Sequence, residues 1–352
     1  MIFRQMFDSV SFTYTYLLAS RRSGEALIID PVVEKVGHYL QLMEELDVKL
    51  LKAIDTHVHA DHITGLGELR DATRCVTVMG RESKVDMVSM RVNDGDSIEI
   101  ENIELKAMYT PGHTDDSYCF ALPDRIFTGD TLLIRGTGRT DFQNGSSIDA
   151  YESLFNKVLK LPDDTLVFPG HDYKGDTVST IGEEKAFNPR LQVSSADDYA
   201  KIMDSLNLPD PQKMDISVPA NLVIGYSAED ADPDHSVTPE RAIERVGYSE
   251  TMFIDLREES ERVRDGIIPG SVHMPYQNLR DNIKPGGLLA AIASNPDQEL
   301  LLYCAYGERS QLALKEMQEA GLVNACGLSG GIDGWIKAGG PLDYPAERDK
   351  QG

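Results

Sequence analysis

The stretch Thr56-His57-Val58-His59-Ala60-Asp61-His62 decides how the rest of the chain is interpreted. It places three histidines and one aspartate within six residues, directly after the apolar run Leu50–Ile54. Positions i and i+2 of a strand face the same way, so a strand ending here would present His57 and His59 together. The following aspartate and histidine lie on the turn into the next segment. This cluster of nitrogen and oxygen donors suits a transition metal.

Length and composition predict two domains. The chain has 352 residues, of which 41% are hydrophobic, and roughly 150 residues per domain is a fair expectation. No apolar run approaches the ~20 residues that a membrane span needs. The first eight residues have neither a basic region nor an apolar region with a cleavage site, so a soluble cytoplasmic protein without a membrane partner is expected.

The formal net charge of −24 argues against a nucleic-acid binder, which would need a basic face. The same charge repels anionic substrates. A site for an anion must therefore supply local arginine or lysine side chains, or backbone N–H groups.

Three segments organise the chain. Residues 1–225 mix strand pairs with amphipathic helices, which indicates an α/β layer architecture. Residues 226–236 are dense in acidic side chains without apolar periodicity and are interpreted as a linker. Residues 237–346 alternate strand and helix, which predicts a small parallel α/β domain.

Three later loops of the first domain each offer one more metal ligand. His113 follows a Pro-Gly turn after an apolar strand, Asp130 follows Gly129 at a strand end, and His171 repeats the arrangement. Five of the eight histidines therefore lie on loops at strand ends. This pattern predicts a metal site in the first domain.

The order of these ligands resembles the metallo-β-lactamase superfamily, which implies an αβ/βα sandwich with metal at one edge of two packed sheets. Glyoxalase II and the persulfide dioxygenases share all seven positions. Other segments are similar to the persulfide dioxygenase pattern. These are Arg4–Phe7, Ser11–Leu18, His59–Gly65, Leu133–Gln143, Asn188–Leu191 and Val218–Asn221.

The resemblance implies one ferrous iron held by His57, His113 and Asp130. Two histidines and one carboxylate leave positions open for a thiolate sulfur and O₂. In this interpretation four further residues orient the ligands and bound water. These are His59, Asp61, His62 and His171. The alternative makes the four ligands of a second metal, with Asp130 bridging, and the residues alone leave both open.

The implied substrate is glutathione persulfide or a similar small persulfide, which O₂ and water convert to sulfite and a thiol. Arg139 and Arg190 are the candidates for binding the carboxylates of glutathione, and Tyr173 is a candidate hydrogen-bond donor. The alternative for Arg139 is a structural salt bridge to Asp141.

The second domain presents a cysteine at a strand end. Cys304 follows the apolar run Leu300–Tyr303 and precedes a short loop with Gly307 and a helix. Backbone N–H groups and the helix dipole stabilise a thiolate at such a position, whereas an ordinary cysteine has a pKa near 8.5. The cysteines at 75, 119 and 326 lie in apolar runs and are expected to be core residues.

The stretch Cys304–Ser310 resembles the rhodanese signature Cys-x-x-Gly-x-Arg-Ser. Phe253–Arg257, Gly266–Pro275 and Leu328–Trp335 are similar to further rhodanese segments. The resemblance implies that Cys304 accepts sulfur and that Arg309 binds the anion. Its partners would then be sulfite and thiosulfate, with sulfur passing either from a persulfide to sulfite or from thiosulfate to a thiol such as glutathione, and the residues leave the direction open.

Together these features predict a bifunctional enzyme of sulfur metabolism, with one Fe(II) in the first domain and a sulfurtransferase in the second. The alternative is a zinc-dependent thioester hydrolase of the glyoxalase II type, whose second domain serves docking or sensing. Assembly into a homo-oligomer is left open.

Overall fold

The computed structural model describes residues 1–206, 208, 214–224 and 235–345. The chain divides into two compact units, one formed by Met1–Asp86 and Met90–Ile224, the other by Met87–Ser89 and Gly225–Gly352. The predicted linker 226–236 lies outside the described residues except for its last two, 235 and 236.

The first unit contains two six-stranded sheets, each of which pairs its strands in chain order. The first sheet consists of β1 (Ile2–Asp8), β2 (Thr13–Ala19), β3 (Glu25–Ile29), β4 (Lys49–Ile54), β5 (Val76–Gly80) and β6 (Met90–Val92). The second consists of β7 (Ser97–Ile100), β8 (Ile103–Tyr109), β9 (Tyr118–Leu122), β10 (Arg125–Gly129), β11 (Leu166–Pro169) and β12 (Ser179–Thr180).

Helices cover the outer faces of the two sheets. The helices of this unit are α1 (Val36–Leu46), α2 (Leu66–Thr73), α3 (Ser147–Asn156), α4 (Ile181–Phe187), α5 (Ala196–Asp204) and α6 (Met214–Asn221). Tyr39 of α1 bonds Thr15 of β2 at 2.9 Å, and α2 packs on β4 and β5. Leu154 of α3 and Tyr199 of α5 are fully buried against the second sheet.

The core lies between the two inner faces. β4 is covered on both sides, since five of its six residues are buried, including Lys52, whose ammonium donates to the Glu99 carbonyl at 2.7 Å. Its Ile54 joins a cluster with Leu105 of β8 and the stacked rings of Phe127 and Phe168, all at most 6% exposed. The cluster draws on both sheets and fixes them face to face.

The strand directions bring the site loops to one edge. β10 pairs antiparallel with β9 and parallel with β11, and β8 pairs antiparallel with β9. β8, β10 and β11 therefore run the same way, and their carboxyl ends meet at one edge of the second sheet. The loops that follow them carry His113, Asp130 and His171.

The second unit is a parallel sheet. Its strands are β13 (Ser236–Val237), β14 (Thr251–Asp255), β15 (Val272–His273), β16 (Glu299–Tyr303) and β17 (Ala325–Leu328). They pair in the order β13-β17-β16-β14-β15, and every pair is parallel. The helices are α7 (Pro239–Ile243), α8 (Glu259–Asp265), α9 (Leu279–Ile283), α10 (Leu288–Ala293), α11 (Glu308–Glu319) and α12 (Gly331–Lys337).

The predicted fold class is confirmed: helices flank two facing sheets in the first unit, and the second unit is a parallel α/β sheet. In the described part of the chain, no helix has the length and apolar character needed to cross a membrane.

Replacing Ile98 by alanine tests the core between the sheets. Ile98 of β7 is fully buried, so Ile98→Ala should lower the free energy of unfolding by about 2–5 kcal/mol in urea titrations followed by circular dichroism. The control is Ile148→Ala, because Ile148 is 45% exposed and its change should stay within about 0.5 kcal/mol. Equal losses for both variants would contradict the proposed packing.

Candidate metal centre and reactive cysteine

A cavity of about 730 Å³ opens at the edge of the first unit where the site loops meet. Five of the seven predicted metal-site residues line it, namely His57, Asp61, His113, Asp130 and His171. The other two lie directly behind, since the ring of His59 is centred 4.3 Å from that of His57 and 4.4 Å from that of His62. The structure thus brings together all seven residues.

His57, His113 and Asp130 form a compact donor set. One ligand atom from each lies within 4.8 Å of the others, and His113 Nε2 is 3.5 Å from Asp130 Oδ2. Gly129 has φ +47°, and a Cβ there would lie 2.6 Å from Thr56 Oγ1, so a glycine is required for the turn into Asp130. Two imidazoles and one carboxylate therefore face one point.

Hydrogen bonds behind the rings orient them. His113 Nδ1 donates to the Arg139 carbonyl at 2.7 Å, which leaves Nε2 with a free lone pair. Thr56 Oγ1 donates to Asp30 Oδ2 at 3.0 Å, so His57 Nδ1 donates to Thr56 Oγ1 at 2.9 Å and again leaves Nε2 free. Burial and the neighbouring imidazoles of His59 and His113 hold the pKa of His57 well below its ordinary value. His57 is thus neutral, as a metal ligand must be.

A second donor set lies beside the first. Ligand atoms of His59, Asp61 and His62 also fall within 4.8 Å of one another, and His171 Nε2 is 3.6 Å from both Asp61 Oδ2 and Asp130 Oδ1. Burial alone would raise the pKa of Asp61, but His62 and His171 lower it well below its usual range. Asp61 is therefore ionised where it faces the cavity.

His59 differs from the other rings because it contacts a buried carboxylate. Its Nε2 lies 3.2 Å from Asp30 Oδ1. Burial would lower the pKa of His59, yet Asp30 raises it to about 10. His59 therefore carries a proton unless a metal displaces it, which favours a supporting role over a ligand role.

The residues present fit a metal ion. Asp130 Oδ1, His59 Nδ1 and His62 Nε2 are buried without a hydrogen-bond partner in the described part of the chain. Unpaired buried polar atoms are costly, and convergent ones are typical of metal sites. The first donor set matches two histidines and one carboxylate, while the second keeps a dinuclear site open.

The three predicted substrate-binding residues all line the cavity. Arg139 forms a two-pronged pair with Asp141, at 2.6 and 2.7 Å, as the structural alternative predicted. Arg190 bonds the Thr137 carbonyl, and among the described residues no carboxylate pairs with it. Burial lowers the pKa of Arg190. Tyr173 is 66% exposed beside the ring of His171.

In the second unit, Cys304 directly follows β16 and is buried. The Gly307 N–H donates to Cys304 Sγ at 3.1 Å, and Gly307 has φ +104° at the start of α11. The carbonyl of Cys304 accepts from the Ile332 N–H at 2.8 Å, so the amino end of α12 holds the loop from behind. A Cβ on Gly331 would lie 2.5 Å from that carbonyl oxygen, which explains the glycine there. The loop thus aims the Gly307 N–H at the sulfur.

Arg309, the residue predicted to bind the substrate anion, is paired with a carboxylate in this structure. Its guanidinium is buried and donates to both oxygens of Glu261, at 2.8 and 2.6 Å. Although burial would raise the pKa of Glu261, Arg309 lowers it. This ion pair joins α11 to α8, and a substrate anion at Arg309 would have to compete with the Glu261 carboxylate.

Cys326 and Cys119 are buried core residues, as the sequence predicted. Burial and the nearby Glu299 raise the pKa of Cys326 to about 12, and burial raises that of Cys119 to about 11. Neither thiol is ionised near neutral pH, and Cys75 is also buried, whereas Cys304 lies at a strand end with an N–H directed at its sulfur.

Three residues support or line the site although the sequence did not predict them as site residues. Asp30 supports Thr56 and His59, and the buried Asn221 donates to the carbonyls of His59 and His62, both at 2.8 Å. Lys174 lines the cavity beside Tyr173. Only the lysine had a local signal, its place directly after the His171 loop.

Comparison with known proteins extends these findings. Residues 8–88 and 90–171 match the metallo-beta-lactamase superfamily, and residues 238–338 match the rhodanese-like domain. The mitochondrial persulfide dioxygenase ETHE1 of Homo sapiens is 48% identical over 233 residues, which cover 91% of that protein and 65% of this chain. The chain belongs to the persulfide dioxygenase family. A rhodanese-like domain follows the family region.

Solved structures agree with this assignment. The crystal structure of ETHE1 from Myxococcus xanthus is 49% identical with a TM-score of 0.63, and covers 64% of this chain and 100% of its own. A metallo-beta-lactamase structure from Staphylococcus aureus is 24% identical with a TM-score of 0.59, and covers 94% of this chain and 98% of its own. The second likeness shows the fold alone.

Metal content separates the two donor sets. His113→Ala should reduce bound metal per chain roughly tenfold or more, measured by elemental mass spectrometry after anaerobic purification. With one metal at the first set, His62→Ala should keep most of it. The control is His38→Ala, because His38 is exposed on α1 and outside the cavity. If His62→Ala and His113→Ala each removed one of two metals, the site would be dinuclear.

Proposed function

We propose that the first unit oxidises a small organic persulfide, glutathione persulfide or a close analogue, with O₂ at a single ferrous iron. The observation that carries the proposal is the donor set of His57, His113 and Asp130 in a chain 48% identical to a persulfide dioxygenase. A glutathione-sized ligand fits a cavity of about 730 Å³.

The proposed reaction is RSSH + O₂ + H₂O → RSH + SO₃²⁻ + 2 H⁺. The outer sulfur loses four electrons, which O₂ accepts, and the S–S bond breaks with the thiol as leaving group. The set of His57, His113 and Asp130 would hold a ferrous iron, which would supply open coordination positions and the redox chemistry that the reaction needs.

The chain's own residues have separate tasks in this proposal. His57, His113 and Asp130 hold the iron, and Asp61 accepts a hydrogen bond from the reacting water because it stays ionised. His59 and His62 fix Asp61 and the neighbouring rings from behind. The residues of the second donor set thus orient the metal ligands and the bound water.

Arg190 is the strongest candidate for a substrate carboxylate. Arg139 already pairs with Asp141, whose pKa it lowers, so only part of its charge is available to a ligand. Arg190 faces the cavity with its charge unpaired among the described residues. Tyr173 can donate a hydrogen bond to the same ligand.

Oxygen uptake tests the dioxygenase. Anaerobically purified, iron-loaded protein should consume one O₂ per glutathione persulfide. Arg190→Ala should raise KM for that substrate about tenfold or more, because a charge-assisted hydrogen bond is lost. The charge-matched control is Arg21→Ala, since Arg21 is 70% exposed and outside the cavity, and its KM should not change.

The second donor set also favours a specific alternative, a zinc-dependent thioester hydrolase of the glyoxalase II type. Its orphaned His59 Nδ1 and His62 Nε2 could bind a second metal. Two zinc ions per chain and hydrolysis of S-lactoylglutathione, without O₂ uptake from the persulfide, would replace the dioxygenase proposal with this one.

We further propose that the second unit transfers sulfane sulfur through Cys304. The thiolate attacks the outer sulfur of thiosulfate, the S–S bond breaks and sulfite leaves with the electron pair. A thiolate then takes the outer sulfur from the Cys304 persulfide. The Gly307 N–H, 3.1 Å from Sγ, stabilises the negative sulfur in both steps.

Replacing the sulfur nucleophile tests this assignment. Cys304→Ser should reduce thiosulfate-to-glutathione sulfur transfer at least about 10³-fold in the full chain, because the hydroxyl is a far weaker nucleophile. Oxygen uptake from glutathione persulfide by the same variant should persist. The matched control is Cys326→Ala, which removes the unit's buried core thiol and should keep the transfer rate. Full transfer by Cys304→Ser would refute the role of Cys304.

A further inference from the structure

A large aromatic side chain stands at the tip of the first β-hairpin, between β1 and β2. Phe12 is 40% exposed and lines the cavity of the candidate metal centre. Its φ is +60°, in the left-handed region that bulky residues rarely adopt. An exposed phenylalanine in strained backbone calls for a reason.

The backbone of Phe12 has a clear task. Its carbonyl accepts hydrogen bonds from His171 Nδ1 at 3.1 Å and from the Asp172 N–H at 3.3 Å. The next residue, Thr13, donates from its hydroxyl to Asp61 Oδ2 at 2.9 Å. The hairpin tip therefore orients two residues of the candidate metal centre.

None of these contacts needs the phenyl ring. Glycine or asparagine would adopt the left-handed backbone with less strain and present the same carbonyl. A phenylalanine at this position therefore costs backbone strain that glycine or asparagine would avoid. The surroundings of the ring must explain why a phenylalanine is present.

The ring packs beside that of another cavity-lining residue. Its centroid lies 5.4 Å from that of Tyr173, which is 66% exposed and itself lies beside His171. Val10, 69% exposed, lines the cavity from the same hairpin. Val10, Phe12 and Tyr173 thus line the cavity and are also exposed to solvent, and we refer to these three residues as the aromatic lip.

We propose that Phe12 is a specificity-determining residue whose ring, with Tyr173, contacts the thiol carrier of the persulfide rather than its reacting sulfur. The inference rests on the proposed function and names the substrate class: persulfides on a peptide-like carrier, whose amide planes and methylene groups pack on aromatic faces. A bare alkyl persulfide that reaches the metal centre would be too short to contact the aromatic lip.

Phe12→Asn is the central test because asparagine keeps the left-handed backbone and removes the ring. KM for glutathione persulfide should rise about tenfold, from the loss of apolar contact, while kcat changes less than twofold. The inhibition constant of glutathione should rise in parallel. KM for methyl persulfide should be unchanged. The thermal midpoint should be equal or higher, because strain is relieved.

Phe7→Ala is the matched control. Phe7 is 46% exposed, and its ring centroid lies 6.3 Å from that of Phe12, yet it does not line the cavity. Its replacement should leave KM for both persulfides unchanged. Phe12→Gly provides a second variant with the same expectation as Phe12→Asn.

Three results would overturn the inference. They are an unchanged KM for glutathione persulfide in Phe12→Asn, an equal rise for both persulfides, and a fall in kcat alone. Wild-type protein that takes up no O₂ with either persulfide would instead refute the proposed function, so the two failures are distinguishable.

Discussion

One buried carboxylate holds the metal-binding end of the first unit together. Asp30 follows β3 and accepts hydrogen bonds from the Thr56 N–H at 2.7 Å and the Thr56 hydroxyl at 3.0 Å, while its Oδ1 lies 3.2 Å from His59. These contacts set the direction of the chain as it leaves β4, and through Thr56 they set the tautomer of His57. Without Asp30, His57 and His59 would lose the hydrogen bonds that orient their rings, and only the contacts of His62 and the bonds from Asn221 would remain to position this stretch.

Ligand positions were predictable because they follow from local sequence. The ends of apolar strands can be located from a single sequence. Four of the predicted site residues follow such strand ends, namely His57, His113, Asp130 and His171. The strand and helix pattern predicted an α/β layer architecture, and the resemblance to the metallo-β-lactamase superfamily implied the αβ/βα sandwich. β1 is hard to predict from sequence, because six of its seven residues are only partly buried or exposed and it has no alternating apolar pattern. β13 and β15 are only two residues long, so they are too short to show the alternating apolar pattern by which strands are predicted.

What could not be predicted depends on long-range pairing. Asn221 bonds the loop at His59 and His62 from about 160 residues away, and Arg309 meets Glu261 across 48 residues. A signature containing Arg309 does not reveal whether its guanidinium faces a ligand or a carboxylate. The left-handed backbone conformation of Phe12 could not be predicted either, because no local sequence pattern indicates a positive φ at a phenylalanine. Tertiary contacts, rather than local preference, assign these residues their tasks.

The net charge of −24 repels an anionic substrate, so the cavity must supply local interactions that bind it. Repulsion by the whole protein acts over about one Debye length of 8 Å at physiological salt, so cations at a cavity wall can outweigh it locally. Arg139 is largely compensated by Asp141 and Arg135 by Glu184, which leaves Arg190 and Lys174 as the cavity-lining cations without a carboxylate partner among the described residues. Two cations cannot by themselves distinguish one anionic persulfide from another. Selection among carriers therefore has to come from shape and apolar contact, which is the contribution that the aromatic lip can make.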